Sequence, residues 1–151
     1  MSSTSLDAIG LFLLLSGFVI GLGAVTVVDI HGFLGRTSAY WTEATTRTHK
    51  VTKPMIWAGL TLAVVGGSIF YRSVGLTGIP LLQTWIAGAL VLNGYFLSFK
   101  VSPFLLERER AGRQTELLPA AWQRKIMLSL IVSDIGWWGG LALLVMYLVG
   151  K

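Results

Sequence analysis

The sequence predicts an all-α fold, a transmembrane bundle of four helices, on three observations. Only 13% of the 151 residues are charged, while 54% are hydrophobic. A water-soluble domain carries about 25% charged residues, so this chain lacks the polar side chains to cover an exterior. Four apolar stretches are each long enough to cross a hydrocarbon layer, which takes about 20 helical residues. The basic residues gather in two of the three connections, as they do in multi-pass membrane proteins.

Taken in order, the first span runs from about Leu6 to Leu34, the second from about Pro54 to Tyr71, the third from about Pro80 to Phe99, and the fourth from about Ile126 to Val149. Each must be helical, because lipid offers no partner to an open backbone group and the alternating pattern of a barrel strand is absent. Pro54 and Pro80 are expected in first helical turns, where a missing N–H costs little. The opening MSSTSLDAIG lacks a basic segment, so no cleavable signal peptide is expected and the first apolar run reads as a retained span.

The connections, about 35–53 and 100–125, set the orientation. The first holds Arg36, Arg47, Lys50 and Lys53, and the other holds Lys100, Arg108, Arg110, Arg113, Arg124 and Lys125. The positive-inside rule makes both cytoplasmic and puts both termini outside, as expected of an inner-membrane protein. The same distribution accounts for the net charge of +5 without a nucleic-acid partner. Within the first connection Ser38 is expected to cap a helix, with Glu43 and Arg47 spaced as an i,i+4 pair. Tyr40 and Trp41 suit an interfacial segment. The third helix is expected to overshoot the bilayer, and Pro119 to restart the fourth.

HGFLGR ends the first span and SPFLLER ends the third, and each is followed by a polar segment, a basic pair and a Gly-Gly span. The chain thus reads as two parallel-repeat helical hairpins, or as two hairpins alike only in being apolar. Small residues mark the close faces: Gly17 and Gly21 with Ala24 and Val28 in the first span, and Ser129, Ser133, Gly136 and Gly140 in the fourth.

Candidate chemistry rests on ionisable groups at membrane depth, which cost several kcal/mol unless paired or hydrated. Asp134 lies nine residues beyond Lys125, about 13 Å in at 1.5 Å per residue. Asn93, seven residues before Lys100, falls at a similar depth, with Thr26 and Thr61 nearby. The expectation is one polar intramembrane layer: Asn93 and Asp134 at its centre, Asp29 towards the cytoplasm, and Lys100 either bridged to Asp29 or extended to the interface. Asp134 then serves as a proton carrier or cation ligand, or as a hydrogen-bonded carboxyl that fixes helix register. His31 and His49 are either interfacial or axial ligands to haem or copper. With no cysteine, disulfides, iron–sulfur clusters and thiolate zinc sites are excluded.

GLGAVTVVDIHGFLGR and LNGYFLSFKVSPFL resemble segments of a family of small uncharacterised prokaryotic four-span membrane proteins, distantly similar in layout to copper-resistance D-type membrane proteins. Val28-Asp29 stands where those relatives carry a Ser-Asp-like pair, and Ser102 where a His often follows Lys-Val. The resemblance implies an architecture and topology; the departure at Ser102 weakens a metal or haem role. Three functions follow as expectations: ion- or proton-linked small-solute transport or a channel-like role, in a homo-oligomer; haem or copper redox chemistry; or an accessory subunit of a membrane complex. No catalytic residues and no resident cofactor are expected for the first.

Overall fold

The computed structural model describes residues 3–150. It contains α1 (Ser3–Leu34), α2 (Ala39–Phe70), α3 (Gly78–Phe96), a π-helical turn (Leu97–Val101), α4 (Ser102–Arg110) and α5 (Ala120–Val149). With α4 carrying on from α3, four helices are long and apolar enough to cross a membrane. No strand occurs among the described residues.

α1 and α2 form the tightest pair, and glycine makes the approach possible. A Cβ on Gly17 would lie 2.4 Å from the Ala63 nitrogen, one on Gly59 2.5 Å from the Gly21 Cα, and one on Gly66 2.3 Å from the Leu14 nitrogen. Backbone therefore meets backbone, the arrangement by which helices associate in lipid, where burial gives little driving force. The expected Gly17 and Gly21 face is present. Its counterpart, Gly59 and Gly66 on α2, carries equal weight. On α5, Gly136 receives the Leu90 side chain of α3, and Gly140 receives the Phe18 ring of α1. The core that results centres on Trp137, Leu144 and Val25.

α2 corrects the expected start of the second span. The helix begins at Ala39 and passes through Pro54 without a break, so the interfacial segment and the span are one rod. Ser38 caps it, its hydroxyl accepting from the Trp41 N–H at 3.5 Å, and Glu43 pairs with Arg47 at 2.6 Å. Pro54 has no N–H for the Lys50 carbonyl, yet a membrane helix accommodates that loss where neighbouring groups restore the balance. Threonine hydroxyls at 42, 45, 46 and 52 bond back to the carbonyls four residues earlier, holding this half together.

Pro103 has a different effect. In the π turn the Ser102 N–H bonds to the Leu97 carbonyl, five residues back. The next bond in that register would run from residue 103 to the Ser98 carbonyl, and proline cannot donate it. The Lys53 ammonium takes the place, 3.5 Å from the Ser98 oxygen, and the Trp57 indole N–H donates to the Ser98 hydroxyl at 3.0 Å. The π turn is thus sealed by two donors from α2.

Past α4 the chain turns at Gly112, whose φ of +69° suits glycine. Arg108, only 6% exposed, gathers the loop by donating to the carbonyls of Arg113 and Glu116. Pro119 then opens α5, accepting from the Trp122 and Gln123 N–H groups. Lys50 and Glu109 tie α2 to α4 at 2.7 Å, and both predicted basic connections lie at this same end. Arg72 and Asp7 close α2 onto α1 at the opposite end.

Candidate functional site

At the basic end the four spanning helices enclose a cavity of about 70 Å³. Asp29 lines it from α1 and His49 from α2; Ser133 and Trp137 line it from α5. Asp29 is 7% exposed, and its Oδ2 has no hydrogen-bond partner among the described residues; the same holds for His49 Nε2. A buried acceptor left unmatched is expensive, and such groups are few in folded proteins. The cavity has room for on the order of two water molecules or one small cation, enough to serve both side chains and too little for a larger solute.

A second hollow lies towards the opposite end. This cleft of about 390 Å³ runs between α2 and α3, which meet only sparsely, and its walls are mostly apolar. Leu60, Leu90 and Trp137 line both spaces and form the partition between them. Trp137 is 2% exposed. Its ring lies flat on Gly21, where even a methyl group would sit 2.1 Å from the indole.

The expected polar layer divides into two separate groups. Asn93 does not meet Asp134. Its amide donates to the Ser129 carbonyl at 3.0 Å and to the Ser133 hydroxyl at 3.1 Å, while the Ser129 hydroxyl donates back to Asn93 Oδ1 at 2.7 Å. This network clasps α3 to α5. Ser133, assigned from sequence to packing alone, belongs to it. Asp134, one residue further round α5, is half-buried at the α1 side, close enough for its charge to act on Asp29. Among the described residues no hydrogen bond reaches its carboxylate. Thr26 bonds within α1, to the Leu22 carbonyl, and adds nothing to a shared layer.

Lys100 stands outside the interior altogether. It is exposed and forms no ion pair among the described residues, so the bridge to Asp29 is absent. The cation that does reach inward at this depth is Lys53, on the Ser98 carbonyl. His31 lies at hydrogen-bond distance, 3.0 Å, from Thr48 Oγ1 and packs against the Trp41 ring at 5.1 Å. Only His49 of the two histidines lines the Asp29 cavity. Among the described residues no group of three or more His, Cys, Asp or Glu side chains is placed to hold a metal ion.

Sequence reasoning missed the partition and Tyr71, whose hydroxyl is buried without a partner among the described residues, on a residue that lines the larger cleft. A phenol at a span terminus reads as an ordinary interface anchor, and nothing in its neighbours signals a cavity. Compared with known proteins, the chain matches no family model, no curated protein and no solved structure.

Proposed function

We propose that this chain is a small multi-pass transport protein in which proton or cation movement through the Asp29 cavity is linked to passage of a solute through the larger cleft. The observation that carries this reading is the Asp29 carboxyl, buried and unmatched in a cavity of water or ion size, on the far side of the Trp137 partition from a cleft of solute size. A lone carboxyl inside a membrane is costly, and such groups mark proton and ion paths. Asp134 beside it adds a second acidic site. Exchange with the basic end proceeds past His49 and Arg36, which line the same cavity as Asp29. The positive-inside rule places that end in the cytoplasm of an inner membrane.

Proteoliposomes enclosing a pH-sensitive dye test the reading. An imposed potential is expected to drive proton entry with wild-type protein, and Asp29→Asn to reduce it at least tenfold while the variant stays folded by circular dichroism. Equal flux in wild type and variant would refute the role of Asp29.

Asp134 also favours a second reading, in which the chain is one subunit of a larger membrane complex. A half-buried carboxylate at the α1–α5 edge, with no hydrogen bond from its own chain, is the kind of group that a partner helix satisfies. Cross-linking in native membranes from Ile135→Cys, on the exposed flank of α5, is expected to trap a partner or a second copy. A monomer at every cross-linker length rules this out.

A further inference from the structure

We propose that the cleft between α2 and α3 is a binding site for a single-chain carboxylate lipid, a long-chain fatty acid. This deepens the reading of the cleft as the solute site, and it rests on that reading only there, since binding is measured without any flux.

Three observations carry it. First, the Tyr71 hydroxyl is buried with no partner among the described residues, on a residue only 8% exposed, and Tyr71 lines the cleft. A buried hydroxyl is normally matched, so one left unmatched beside a hollow, on a residue that lines it, calls for an acceptor that a small rotation of the ring would meet there. Second, Arg72 lines the same end of the cleft. It donates to Asp7, to the Ile69 carbonyl and to the Ser3 carbonyl. Of the five N–H groups of a guanidinium, these bonds leave two for an incoming anion. The polar end of the cleft therefore offers a phenol O–H and a guanidinium, which together suit a carboxylate.

Third, the remaining walls are apolar and open sideways. Leu14, Phe18, Ile86 and Ala87 line the depth. Val64 and Leu76 line the cleft and are exposed, 43% and 64% respectively, so its mouth is apolar. A molecule already dissolved in the membrane thus enters without crossing water. The volume of about 390 Å³ sits near the low end of the range of about 300–1,000 Å³ for small-molecule pockets. That leaves room for one chain. Gln83, which also lines the cleft, gives one of its two amide N–H groups to the Gly140 carbonyl at 2.8 Å.

Scintillation proximity binding of tritiated stearate to purified protein in detergent tests the proposal. Saturable binding at one site per chain is expected. Unlabelled stearyl alcohol, with the same chain and no carboxylate, is expected to compete at least tenfold more weakly than unlabelled stearate, and dioleoylphosphatidylcholine not to compete. Tyr71→Phe, which removes one oxygen, is expected to weaken binding about tenfold, the size of one charge-assisted hydrogen bond. Ala87→Trp fills the cleft and is expected to abolish binding. Competition by stearyl alcohol equal to stearate, displacement by the two-chain lipid, or unchanged binding in both variants would each overturn the proposal. Loss of flux in Asp29→Asn with stearate binding intact supports both readings. Intact flux in Asp29→Asn with stearate binding retained refutes the coupling alone.

Discussion

Replacing Gly17 with alanine tests the α1–α2 contact on which both cavities depend. The added methyl would lie 2.4 Å from the Ala63 nitrogen and 2.6 Å from the Gly59 carbonyl oxygen. Ordinary van der Waals contact begins at 3.4 Å, so the two backbones must separate by about 1 Å, the carbon–carbon gap that close packing does not tolerate. Both obstacles are main chain, so no side-chain rotation relieves them. Overpacking of this kind costs about 1–3 kcal/mol, and helix propensity returns less than about 1 kcal/mol of it. Gly23→Ala is the control, because a Cβ there meets nothing within 4 Å. Reversible unfolding in mixed micelles, followed by far-ultraviolet circular dichroism, reads the difference. Gly17→Ala is expected to fall below Gly23→Ala by about 2 kcal/mol. Equal stability of the two variants would show that α1 and α2 do not meet through their backbones.

Two further outcomes follow from the hydrogen bonding. Asn93→Leu removes the clasp on Ser129 and Ser133 and is expected to cost about 0.6–1.7 kcal/mol, the range for polar contacts between membrane helices; the same unfolding assay checks it, and no loss would mean that the clasp is dispensable. Pro103→Ala restores an N–H for the Ser98 carbonyl, so Lys53→Met is expected to cost less in the Pro103→Ala background than alone. A double-mutant cycle measures that coupling, and strict additivity would refute the exchange of donors.

Much of the architecture was readable from composition and local signals. The four spans follow from apolar length, and Ser38 and Pro119 marked helix starts correctly. The interior polar groups were not readable by the same means. Counting residues from the nearest base gives depth, and depth alone placed Asn93 and Asp134 together. Orientation about the helix axis decides partners, and with about 3.6 residues per turn a step from Ser133 to Asp134 turns the side chain from α3 towards α1. For Lys100 the bridge to Asp29, one of its two alternatives, is absent for a related reason. Its seven-residue spacing from Asn93 implies a shared face only in a regular helix, and the π turn at Leu97–Val101 breaks that register. Pro54 was read as a helix start because proline favours first turns, whereas the threonine-rich segment before it continues the helix. Tyr71 and Trp137 owe their importance to cavities made by distant residues, which no local pattern encodes.

The indole packed against Gly21 also bears on how fast the proposed transport could run. Because that ring is buried between the two hollows, at 2% exposure, and leaves no room for a Cβ on Gly21, joining the hollows is expected to need a shift of α1 or α5. Rotamer flips take picoseconds to nanoseconds, whereas collective helix displacements take about microseconds to milliseconds. On the proposed transport reading, turnover is therefore expected to be carrier-like, one load per rearrangement, in contrast to the continuous current that an open pore delivers.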